Sequence, residues 1–136
     1  DFESKILTIS KEVGDSLSKN EIDRALRLIS TFSSHGNKYF QKKEPWADPN
    51  NSNTCLHLCF NAVRSLNILM FPFTPFSMAT LWGILNYSGD LDNQPWDYSD
   101  LSDTSNNHMI NVPEVLFKKL DSSNAQFYAN ELGISN

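Results

Sequence analysis

The chain has 136 residues and a mass of 15.5 kDa, the size of one ordinary domain. Hydrophobic residues at 40% and charged residues at 20% allow a buried core, so the chain need not be disordered. A net charge of -5 and a pI near 5.0 argue against a protein that holds nucleic acid by bulk electrostatics.

Periodicity reads as helix almost throughout. Phe2, Ile6, Ile9, Val13 and Leu17 recur at helical steps and form one apolar face of a first helix. Ser18 followed three residues later by Glu21 matches a capping box, which predicts a long second helix from about Lys19 to Lys43. Pro45 stops it, because the residue before a proline is pushed out of the helical region. Ile22, Leu26, Ile29, Ser33, Gly36 and Phe40 are its expected inner stripe, with the small pair Ser33 and Gly36 leaving room for another helix. Opposite them run Arg24, Arg27, Thr31, His35, Lys38 and Lys42, which read either as a solvated face or as a stripe turned toward phosphates.

A turn-rich linker, Ala47 to Asn53, leads into a third helix predicted from about Thr54 to Leu69. Its expected inner face is Leu56, Cys59, Phe60, Val63, Leu66 and Ile68 or Leu69, and Pro72 forces its end. Thr74-Pro75 reads as N-cap and first-turn proline of a short fourth helix through about Asn86, closed with the help of Gly89. Residues 87–111 form a long acidic loop anchored by Leu91, Trp96, Tyr98 and Leu101. Val112 to Phe117 is a short apolar segment, and Ser122 to Leu132 a final helix ended by Gly133. No alternation of period two appears, so the fold class is all-α: a single domain over 1–136, built as a bundle of four or five helices.

The charge is uneven. Between Lys19 and Trp46 six basic residues face three acidic ones, whereas Tyr87 to Ser105 holds five aspartates and neither Lys nor Arg. The longest apolar run, Ile68 to Phe76, is broken twice by proline and too short for a bilayer, so no membrane span is expected. With no basic-then-apolar leader, a signal peptide is not expected either. Asp1 in the first position is expected of a chain that is processed, engineered or cut from something longer.

Catalytic signatures are missing. Neither G-x-x-x-x-G-K-[ST] nor G-x-G-x-x-G is present to cradle a phosphate, and neither G-x-S-x-G nor H-E-x-x-H appears. Cys55 and Cys59 share a helix face while His57 points elsewhere, and two further ligands for zinc are lacking. These thiols read as core residues, and two cysteines cannot staple a secreted scaffold of this length. The segment is expected to carry no catalytic residue and no metal.

Three stretches resemble a known family in the right order. His35-Gly-Asn-Lys-Tyr39 followed by Glu44-Pro-Trp46 resembles the second-helix signature of the anticodon-binding domain of methionyl-tRNA synthetases. Ala62-Val-Arg-Ser-Leu-Asn-Ile-Leu-Met-Phe-Pro-Phe-Thr-Pro75, with Leu81-Trp82 beyond it, is similar to the family's next helix, proline break and following helix. Val112-Pro-Glu-Val-Leu-Phe-Lys-Lys119 resembles its closing segment, which leads the chain back toward the enzyme body. Together they cover roughly residues 20–120, and the His-Gly-Asn form looks closer to the eukaryotic and archaeal branch.

The resemblance implies a tRNA partner, the catalytic domain of a parent chain, and ATP and methionine as substrates bound outside this segment in the cytoplasm, or alternatively in an organelle. It implies a loop tryptophan that stacks an anticodon base, a place Trp96 occupies, although Trp96 could equally pin the loop to the bundle. Arg24, Arg27, Lys38 and Lys42 would be phosphate contacts, with Pro45, Trp46, Pro72 and Pro75 structural. The family's Asn and Arg readers would lie before Asp1. A helical protein-interaction module without RNA binding, and the equivalent domain of an isoleucyl or valyl enzyme, are the competing expectations.

Overall fold

The computed structural model describes residues 1–96, 108–117, 119 and 121–132. Among them are five α-helices: α1 (Phe2–Ser18), α2 (Ile22–Lys43), α3 (Asn53–Met70), α4 (Pro75–Leu85) and α5 (Ser122–Glu131), with no strand. Asp1 caps α1 by accepting from the Ser4 N–H at 2.8 Å. Helix α1 lies along α2, α3 rests on both, and α4 is laid on α3.

The expected capping box at Ser18 does not form. Ser18 is still the last residue of α1, with its hydroxyl turned back to Asp15 O, and the Glu21 carboxylate bonds Arg24 instead. A C-terminal lock replaces it. Asn20 takes the left-handed conformation at φ 59°, its N–H bonds Leu17 O, and the Glu21 N–H bonds Ser16 O. This tight turn reverses the chain, so the Phe2 ring at the start of α1 stacks on Phe32 and Tyr39 far along α2.

The core between α1, α2 and α3 is Ile6, Ile9, Val13, Ala25, Ile29, Phe32, Ala62 and Leu69. On α1 the expected stripe faces it. On α2 the buried face is rotated from the expected one: Ala25, Ile29 and Phe32 are buried, while Ile22 is 48% and Leu26 38% exposed. Helix α3 departs further. Leu56 is exposed, and Asn61, Arg64, Ser65 and Asn67 are buried among its apolar residues. These polar groups have work to do there. With its amide oriented to its partners, Asn67 donates to Met78 O at 2.9 Å and accepts from the Trp82 N–H at 3.0 Å, tying α3 to the backbone of α4. The Arg64 guanidinium lies 4.4 Å over the Tyr87 ring, which also stacks on Trp82 and meets Phe60 and His108.

Helix α4 begins at Pro75 as expected and ends at Asn86, a left-handed cap at φ 57°; Gly89 belongs to the next turn, where its carbonyl accepts from Trp82 Nε1. Residues 108–111 return to this helix end. Asn111 donates from its amide to Gly83 O and from its backbone to Ile84 O, both at 2.8 Å, and Asn86 donates to Met109 O. His108 Nε2 lies 2.6 Å from Leu85 O, which requires the proton on that nitrogen. These bonds satisfy carbonyls that a helix end leaves open. Beyond them Val112, Val115 and Phe117 are exposed.

Candidate nucleic-acid interface

Helix α2 carries the basic stripe, and all of Arg24, Arg27, Thr31, His35, Lys38 and Lys42 are exposed. Arg24 to Lys42 spans about 27 Å at 1.5 Å per residue. The charge along it is not uniform. Arg24 is bonded to Glu21 at 2.9 Å and Arg27 to Asp23, each an acid one turn earlier. Lys38 and Lys42 have no ion pair among the described residues, and Lys43 lies 5.8 Å over the Tyr39 ring. Uncompensated positive charge is therefore concentrated at the C-terminal end of α2.

Trp96 is half-buried and packs against both hydrophobic clusters, the one between α1, α2 and α3 and the one of Ile68, Met78, Trp82 and Leu91. Its indole N–H donates to Ser10 O at 3.0 Å, and its pyrrole edge lies over Gly14. Of the other expected loop anchors, Leu91 is buried, while Tyr98 and Leu101 lie outside the described residues, as does Gly133.

The basic stripe and Trp96 are on different flanks of α1. The Lys5 ammonium, bonded to Glu12 at 2.8 Å, holds that carboxyl below its usual range, and Lys11 does the same to Asp15; Arg24 adds a smaller pull on both. Glu12 and Asp15 thus mark the flank toward Arg24. At 100° per residue, Ser10 and Gly14 fall on the other side of the helix. The structure unites the four cations on one helix and sets Trp96 apart from them.

The prolines and Trp46 frame the helix ends. Pro45 is buried behind a left-handed Glu44 cap, Pro72 sits in the corner after α3, and Pro75 is the first residue of α4. Trp46 leans on Phe40 at 5.5 Å and remains 55% exposed.

Cys55 is buried and Cys59 half-buried, both as free thiols. Burial, and then the neighbouring Cys55, push the Cys59 thiol up to about 12. Alkylation of Cys59 in the folded protein at about pH 8 is accordingly expected to run markedly slower than at an exposed thiol, and fast labelling before unfolding would contradict this. The folded thiol holds its proton more tightly than the unfolded one. The Cys59 contribution to stability is therefore intact at neutral pH and is lost as pH rises toward 12. Among the described residues no group of three or more His, Cys, Asp or Glu is placed to hold a metal ion, and no helix is long and apolar enough to cross a membrane.

The family model of the anticodon binding domain of methionyl tRNA ligase matches residues 3–135. The chain belongs to that family. The chain is 31% identical over 114 residues to the methionine–tRNA ligase of Pyrococcus abyssi, covering 81% of this chain and 15% of that protein. It is 30% identical over 131 residues to that of Pyrococcus furiosus (93% and 17%) and 37% over 116 residues to that of Nanoarchaeum equitans (85% and 13%). The chain therefore spans less than a fifth of the length of these relatives. Within this anticodon-binding family, the polar residues buried on α3 and the 108–111 return to α4 are the parts that periodicity did not mark.

Proposed function

We propose that this domain helps a parent methionine–tRNA ligase select methionine tRNA before ATP-dependent joining of methionine to it. The family match over residues 3–135 carries the reading. Two features of the site support it. Trp96 is a flat ring held by its N–H and packed on two clusters, so it has little rotamer freedom left to lose when a base stacks on it. Arg24, Arg27, Lys38 and Lys42 line one helix as phosphate contacts, the two lysines supplying charge that no ion pair among the described residues offsets. Each contact displaces counterions from the RNA, whereas the stack reads the loop.

The clasp at 108–111 fixes where the chain leaves the bundle, and the exposed apolar residues that follow suit a return toward the catalytic domain of the parent. That domain would bind ATP and methionine. Such an enzyme works where tRNA is charged, in the cytoplasm, with an organelle as the alternative site.

The test is the salt dependence of methionine-tRNA binding by the full-length ligase. Lys38→Ala and Lys42→Ala should each flatten the slope of log K against log salt by roughly 0.7–0.9, the value of one phosphate contact. Arg24→Ala should change it less, because Glu21 already holds that guanidinium. Slopes identical to the parent's for both lysine variants would remove α2 from the interface.

A further inference from the structure

We propose that Gly14 is a positioning residue for Trp96, so that the bare backbone of α1 sets the orientation of the ring that stacks the anticodon base. The inference rests on the proposed role of Trp96 and adds the element that aims it. Glycine is the poorest helix former after proline, so a glycine inside α1 calls for a reason. A Cβ built at Gly14 would lie 2.9 Å from Trp96 Nε1 and 3.5 Å from Cδ1. The first distance is closer than such atoms come, and the atom met is the rigid ring nitrogen that also bonds Ser10 O at 3.0 Å.

The other helical glycines of the bundle differ. At Gly36 a Cβ would meet the Phe2 ring at ordinary contact, 3.5 Å, and at Gly83 it would meet nothing within 4 Å. Among the described glycines, only Gly14 would bring an added side chain and an aromatic ring into the same space. Because Trp96 also packs on both hydrophobic clusters, it cannot slide along the helix to make room; it must tilt outward and release the Ser10 bond.

The experiment compares Gly14→Ala with Gly83→Ala in the full-length protein, reading the Trp96 indole N–H signal and its hydrogen exchange by NMR, together with discrimination between methionine tRNA and an anticodon-altered copy. Gly14→Ala is expected to shift the indole signal, abolish its protection and lower discrimination roughly 5- to 150-fold, as loss of one base stack would. Gly83→Ala is expected to change none of these.

An unmoved indole signal in Gly14→Ala would overturn the seat. A moved signal with intact discrimination, where Trp96→Ala loses it, would overturn the positioning role alone. If Trp96→Ala itself discriminates normally, the stacking reading fails and Gly14 has nothing to aim. Should Gly14→Ala fail to fold, the double variant Gly14→Ala/Trp96→Ala removes the whole ring that the new Cβ would meet and is expected to restore folding; failure to do so would also overturn the seat.

Discussion

Phe32→Ala is expected to destabilise the bundle by about 3–5 kcal/mol, the usual cost of deleting a fully buried aromatic and leaving its cavity. Phe32 is 1% exposed and sits where all three packed helices meet, among Ile6, Ile9, Val13 and Ile29, with Phe2 stacked outside it at 6.2 Å. Little of the lost volume can be recovered, because the cluster around Phe32 is itself buried and close-packed. A domain of this size has about 5–15 kcal/mol in total, so the variant should lie close to its unfolding threshold. Chemical denaturation measures it: the midpoint should fall with the slope unchanged. A loss below about 1 kcal/mol would mean that the α1–α2–α3 junction is not the core.

Trp96→Ala is expected to cost about 1–3 kcal/mol of discrimination in favour of the methionine anticodon, the worth of one base stacked on an aromatic. The parent ring does not need ordering at the moment of binding, since Ser10 O and the two clusters already hold it. Trp96→Phe keeps a stacking face but gives up the N–H bond, so it should retain part of the discrimination. Binding of both variants should show the same salt slope as the parent, because no phosphate contact is removed. Competition between methionine tRNA and an anticodon-altered copy separates the outcomes. Discrimination unchanged in Trp96→Ala would reduce Trp96 to a loop anchor.

The helix count, the proline corners and the family were legible from residue patterns, and the reasons are local. Pro45, Pro72 and Pro75 act on their own neighbours, and the α1 stripe of Ile6, Ile9 and Val13 is narrow enough to face only one way. On α2 the apolar arc is broad, from Phe32 round to Leu26, and periodicity alone does not say which third of it meets α1. Helix α3 hid its buried face because Asn61, Arg64 and Asn67 look like surface residues until α4 and Tyr87 are laid against them. The Ser18–Glu21 pattern misled for a related reason: with Asn20 free to go left-handed, Ser18 stays the last residue of α1 and α2 starts about one turn later than the box required, at Ile22.

At the candidate interface, composition and spacing marked the four cations but not their inequality, which depends on Glu21 and Asp23 reaching Arg24 and Arg27. The seat of Trp96 was beyond any local signal, for its partner Ser10 is 86 residues away in the chain.

On the proposed function, this domain contributes anticodon selectivity to a parent methionine–tRNA ligase. Its most direct test is an equilibrium competition on the full-length protein, methionine tRNA against the same tRNA with one anticodon base changed, at fixed salt. The expected result is a preference for the native anticodon that falls in Trp96→Ala while aminoacyl-adenylate formation from ATP and methionine stays at the parent rate. Equal binding of both tRNAs by the parent protein would contradict it.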